Sequence, residues 1–234
     1  MHKLIAAEGH VFVELDEGRF IVDTGSPLSF GDVPSATFAG TQHRLPQSLM
    51  GLDVSVLRKL IDGPCNGLLG LNVIGATNLM FDVHAGELHT GPNAWDSIPL
   101  PTRTACNVRS VMGMPVLDIL IGDRPAVAAW DTGAKYGYII DESQSGGGIP
   151  ADDIDDFNPI LGEMHSRSWI VDVRLAPTCT VRDRVGILPA SGAQMLSMFG
   201  VNAVIGCSWM SGLRIGLERQ SRSMWVAPPP SLAR

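Results

Sequence analysis

The chain has 234 residues, 45% of them hydrophobic and 18% charged, enough apolar side chain for a sizeable core, which excludes global disorder. A net charge of −7 without any Lys/Arg run excludes a general attraction for phosphate backbones, so no nucleic-acid partner is expected. No run of 18 or more apolar residues occurs, so no membrane span is expected either.

Gly 26 and Pro 16 are high for this length and imply many turns, which favours an all-β fold with a few short helices. The chain starts with an apolar stretch too short for a signal peptide, so a cytoplasmic location is expected. Cys65, Cys106, Cys179 and Cys207 show no C-x-x-C spacing and read as free thiols in a reducing compartment.

In chain order, His10 to Leu15 reads as a strand, Asp16 to Gly18 as a turn and Arg19 to Val22 as a second strand, followed at once by Asp23-Thr24-Gly25-Ser26. Leu52, Val56, Leu57 and Leu60 recur at helical spacing, with Gly63 as the stop. Asn66-Gly67-Leu68-Leu69-Gly70-Leu71 follows, then a strand over Leu79 to Leu88. Ile98-Pro99-Leu100-Pro101 makes a stiff link between halves.

The second half repeats the order. Val116 to Ile121 is a strand, Gly122-Asp123 a turn, and Arg124 to Trp130 a strand running into Asp131-Thr132-Gly133-Ala134. Ser191 caps a helix carrying Met195, Leu196 and Phe199, which Gly200 ends. Asn202-Ala203-Val204-Ile205-Gly206-Cys207 comes next, then a strand over Leu213 to Val226. One such motif would be a surface turn. Two, each at the end of an apolar strand and at equivalent places in a repeat, point to function, because a carboxylate there is costly unless it is used.

These paired motifs resemble the aspartic protease clan, the pepsins and retropepsins. The resemblance covers nearly the whole chain as two similar β-barrel-like lobes with pseudo-twofold symmetry, an N-terminal lobe over 1–100 and a C-terminal lobe over 101–234 with a longer insertion at about 141–190. It implies an aspartic endopeptidase acting on a peptide or protein substrate, with Asp23 and Asp131 catalytic and with no metal or other cofactor. Two carboxyl groups about 3 Å apart share one proton; the ionised one takes a proton from water and the protonated one donates to the scissile carbonyl. The resemblance makes Gly25 and Gly133 the close-approach residues, has Thr24 and Thr132 hydrogen-bond across the lobes, and packs Leu68, Leu69, Gly70, Val204, Ile205 and Gly206 under the site. A relative that had lost either aspartate would be a non-catalytic peptide-binding module; here both are present.

Ser26 follows the first motif and Ala134 the second. A hydroxyl there is able to donate to an ionised carboxylate and lower its pKa, which alanine cannot. Pepsins resemble the Ser pattern and many retropepsins the Ala pattern, so a pH optimum above the strongly acidic range of pepsins is expected. The first half is too short between its motif and Leu68 for a full flap. The second has room, and Gly162 to Leu175 is expected to form the flap hairpin, with Trp169 as its candidate contact residue. Asp152, Asp153, Asp155 and Asp156 read as a solvated loop. With both half-sites in one chain, a monomer is expected.

Overall fold

Short apolar runs punctuated by glycine-bearing turns fold as strands, and the chain is mostly β. The computed structural model describes residues 1–7, 9–61, 63–96, 98–158, 161–219 and 223–229. The first half runs through β1 (His2–Ala7), β2 (His10–Leu15), β3 (Gly18–Val22), β4 (Phe30–Gly31), the hairpin β5 (Ser35–Phe38) and β6 (Thr41–Arg44), and the short pair β7 (Ser48–Leu49) and β8 (Leu52–Asp53). Helix α1 (Val54–Leu60), β9 (Gly67–Leu69), helix α2 (Leu71–Ile74), β10 (Leu79–Asp82) and β11 (Glu87–Thr90) follow. The second half holds β12 (Thr104–Cys106), β13 (Val108–Val111), β14 (Met114–Ile121), β15 (Arg124–Trp130), β16 (Gly137–Ile139), β17 (Ile149–Asn158), β18 (Gly162–Ala176) and β19 (Cys179–Ile187). It ends with helix α3 (Ala190–Ser197), β20 (Ala203–Ile205), β21 (Arg214–Glu218) and β22 (Ser223–Ala227).

Two large sheets carry the core. The first has the order β12-β22-β21-β10-β11-β1-β2-β3-β9-β4 and the second β13-β14-β15-β20-β16-β19-β18-β17. The first sheet therefore takes strands from both sides of the proline link. That link contains a 3-10 turn over Leu100–Thr102, and the Arg103 guanidinium pins it by donating to the carbonyls of Trp95 and Ile98. Among the described residues no helix is long and apolar enough to cross a membrane.

Several expected elements differ in extent. The strand expected over Leu79 to Leu88 is the hairpin β10–β11, because the Asp82 side chain accepts from the Ala85 N–H at 2.9 Å and Gly86 takes φ 71°, closing a turn. The strand expected over Leu213 to Val226 is likewise the hairpin β21–β22. Helix α1 starts after Leu52, where Asp53 caps the Val56 N–H at 3.0 Å, and stops at Ile61, before Gly63. Helix α3 begins after Pro189, so Ser191 lies within its first turn. The acidic residues 152–156 are not in a loop but in strand β17, where Arg184 donates to the Asp152 and Asp153 carbonyls.

The main core joins the two sheets. Phe81 of β10 and Trp130 of β15 are both fully buried, and their rings meet edge to face at 5.6 Å. Trp209 also lies against Trp130, with ring centres 6.2 Å apart. Phe81→Ala removes one side of this contact and is expected to lower stability by about 3–5 kcal/mol. Urea unfolding measures this; a loss under about 1 kcal/mol would mean that the sheets do not depend on the contact.

Candidate active site

Each Asp-Thr-Gly motif leaves the end of an interior strand, paired on both sides within its sheet. β3 ends at Val22 and runs parallel to β9, with Val22 opposite Leu69. β15 ends at Trp130 and runs parallel to β20, with Trp130 opposite Ile205. The ladder continues one residue further in both places: the Asp23 N–H donates to the Leu69 carbonyl at 3.0 Å, and the Asp131 N–H to the Ile205 carbonyl at 3.0 Å. Leu68, Leu69 and Ile205 are buried and Val204 is half-buried. These residues fix where each aspartate leaves its sheet.

The two glycines that follow them explain themselves by space. A Cβ on Gly70 would lie 2.5 Å from the Leu28 carbonyl oxygen and 2.7 Å from that of Ser26. A Cβ on Gly206 would lie 2.6 Å from the Tyr136 carbonyl oxygen and 2.7 Å from that of Ala134. The next N–H in each case closes the loop beneath the motif: Leu71 donates to Ser26 at 2.9 Å and Cys207 to Ala134 at 3.0 Å.

The motifs then meet. The Thr24 N–H donates to Thr132 Oγ1 and the Thr132 N–H donates to Thr24 Oγ1, both at 3.0 Å. Each hydroxyl donates onward at 2.6 Å, Thr24 to the Trp130 carbonyl and Thr132 to the Val22 carbonyl. Both threonines are fully buried, so the four bonds exclude water. This exchange brings the carboxyl groups of Asp23 and Asp131 into contact. Gly25 lies against the Asp131 carboxyl and Gly133 against the Asp23 carboxyl, each so closely that a Cβ would overlap it.

Backbone donors hold both carboxyls in one orientation. Asp23 Oδ1 accepts from Gly25 at 2.7 Å and Ser26 at 2.9 Å; Asp131 Oδ1 accepts from Gly133 at 2.9 Å and Ala134 at 3.2 Å. The Ser26 hydroxyl does not reach Asp23. It donates to the Leu28 carbonyl at 2.7 Å, so the Ser/Ala difference does not act on the carboxylate in the expected way. Burial pushes the Asp23 carboxyl well above the usual carboxylate range, and the negative charge of Asp131 adds to this. Burial also pushes Asp131 up, against the hydrogen bonds from Asp23, Gly133 and Ala134, and the charge of Asp156 adds to the rise. The two titrate as one unit.

Other expected residues lie elsewhere. Gly162 to Leu175 is not a hairpin by itself but part of the single strand β18, paired on one side with β17 and on the other with β19. Trp169 is 8% exposed and packs in the main core beside Val171 and Val173, under the Arg167 guanidinium. The hairpin in this region is β17–β18, and Leu161 packs on Gly192 of α3. Cys207 is buried and its thiol donates to the Gly9 carbonyl at 2.8 Å; burial raises its pKa to about 12, so it is inert. The sequence analysis did not single out Tyr138 and read Asp156 as part of a solvated loop, yet their side chains bond across 18 residues. Among the described residues no group of three or more His, Cys, Asp or Glu is placed to hold a metal ion. No protein-family model matches the chain, and no curated protein matches it.

The raised carboxyls bear on stability. In the window between the ordinary aspartate range and the raised native values, the folded chain keeps protons that the unfolded chain has released, so stability falls as pH rises through that window. The buried Asp183 acts in the same direction. Asp23→Asn removes the Asp23 share of this penalty. Its gain in Tm over the wild type is expected to be larger at about pH 7 than at about pH 4, read by calorimetry at both; an equal or smaller gain at pH 7 would contradict the raised pKa.

Proposed function

We propose that the chain is a hydrolase that activates water between two aspartates, and more narrowly an aspartic-type endopeptidase of the pepsin and retropepsin kind. The observation that carries this reading is the contact of two buried carboxyls, each held by two backbone N–H groups and joined by the exchange of bonds between Thr24 and Thr132. The repeated construction supports two lobes of the acid protease type, over 1–100 and 101–234, related by a pseudo-twofold axis between the motifs. Both motifs come from one chain, so a monomer is the proposed working unit.

In the proposed reaction a peptide lies extended over the dyad with a water molecule between the carboxyls. The ionised aspartate takes a proton from the water as its oxygen attacks the carbonyl carbon. The protonated aspartate gives its proton to the carbonyl oxygen, leaving a neutral tetrahedral diol. The diol then collapses: a proton moves to the amide nitrogen, the C–N bond breaks, and a carboxylic acid and an amine leave. The N–H groups of Gly25, Ser26, Gly133 and Ala134 support the charge on whichever carboxylate is ionised.

The β17–β18 hairpin is the proposed cover of the cleft, carried by the C-terminal lobe. The hairpin β5–β6 does not compete for this role: it buries Ala36 and Phe38 in the main core, and Thr37 bonds to Glu17.

Peptide cleavage between about pH 3 and 8 tests the reading, with the wild type, Asp23→Asn and Asp131→Asn compared on a mixed peptide library with and without a pepstatin-type inhibitor. The expected result is mildly acidic activity lost by at least about a thousandfold in either variant. Cleavage that survives either substitution would refute a shared dyad.

A further inference from the structure

Asp156 is a carboxylate on the β17–β18 hairpin for which the proposed reaction has no use. It lies on β17 opposite Met164 of β18 and is half-buried. Its Oδ2 accepts from the Tyr138 hydroxyl at 2.5 Å, and its Oδ1 accepts from the Phe157 N–H at 2.8 Å. Tyr138 is itself buried on β16, in register with Val204 of β20, the strand that runs parallel to β15, which ends at Trp130 just before Asp131. The Tyr138 bond thus ties the hairpin to the part of the sheet that carries the dyad. Ile154, on the same face of β17 as Asp156, is buried, and both its side chain and the Tyr138 ring lie against Gly186. The negative charge of Asp156 also adds to the rise of the Asp131 pKa, after burial.

The neighbouring cations are engaged elsewhere. His165 pairs with Asp153 at 3.3 Å and Asp155 at 2.7 Å. The Arg184 side chain binds the Ser168 hydroxyl and the backbone carbonyls of Asp152 and Asp153, and stacks on Tyr136. Among the described residues no Lys, Arg or His comes within ion-pair distance of Asp156. Tyr138 and Phe157 supply hydrogen bonds but no positive charge. A half-enclosed carboxylate in this condition gains most from a cation brought by a ligand, because charges attract more strongly there than in water.

We propose that Asp156 is a specificity-determining residue that receives the Lys or Arg side chain of a peptide at a position flanking the scissile bond. This rests on the peptidase reading and narrows its substrate class to peptides with a basic residue near the cut. Asp156 does not act on the reacting atoms; it pairs with the substrate.

The test uses peptides that differ at one position, Lys or its neutral counterpart norleucine, scanned through the positions either side of the cut. The full chain, Asp156→Asn and Asp156→Lys are compared. Asparagine keeps an acceptor for Tyr138, so that variant retains the local fold. The wild type is expected to favour lysine in kcat/KM by about tenfold or more at one position. The preference falls to about unity in Asp156→Asn, and Asp156→Lys favours a glutamate peptide instead. A wild type without lysine preference at any position, or a preference unchanged in Asp156→Asn, overturns the inference. So does an Asp156→Asn variant whose pH profile moves equally for both peptides while the ratio stays fixed, since Asp156 would then act only through Asp131. A wild type that cuts no peptide at any pH sinks the peptidase reading, and this inference falls with it.

Discussion

The exchange of hydrogen bonds between Thr24 and Thr132 is the constraint on which the rest depends. Two aspartates brought side by side in a buried place repel when ionised and are poorly solvated. The chain opposes this with four short bonds between backbone and hydroxyl groups, fully buried and therefore without competition from water. Each bond joins one motif to the other or to the strand that delivers it. A Thr→Val change at either position would leave one buried N–H and one buried C=O of the opposite motif unpaired.

Outward from that exchange, each layer supports the one inside it. Parallel pairing of β3 with β9 and of β15 with β20 sets where the motifs begin. Gly70 and Gly206 let the loops after the motifs lie close on those strands, and the Phe81–Trp130 contact joins the two sheets behind them. At neutral pH the two raised carboxyls cost the folded chain stability.

Much of this was legible in the sequence because the sequence states it twice. The strand, turn, strand and Asp-Thr-Gly order, and the later apolar-apolar-Gly phrases, locate the aspartates and the strands beside them without any contact being known. Pairing partners were not legible: nothing in Arg214 to Ala227 says that these strands join the sheet of the first half. Strand β17 was hidden by its aspartates, which have low strand propensity and broke the period-two pattern. Trp169 shows the opposite error, since an aromatic residue in a supposed hairpin read as the contact residue of a flap. The alternation of Trp169, Val171, Val173 and Leu175 on one buried face of a long strand was the better signal. The Ser26 hydroxyl depended on a local choice of acceptor, which residue identity alone does not fix.

Carboxyl carbon NMR titration of aspartate-labelled protein, wild type against Asp131→Asn, tests the central claim most directly. The account predicts that the wild-type dyad loses its protons in two coupled steps, one of them well above the ordinary aspartate range. It also predicts that the Asp23 pKa falls once the charge of Asp131 is removed. Two independent titrations in the ordinary range, with Asp23 unmoved by the substitution, would contradict a shared site.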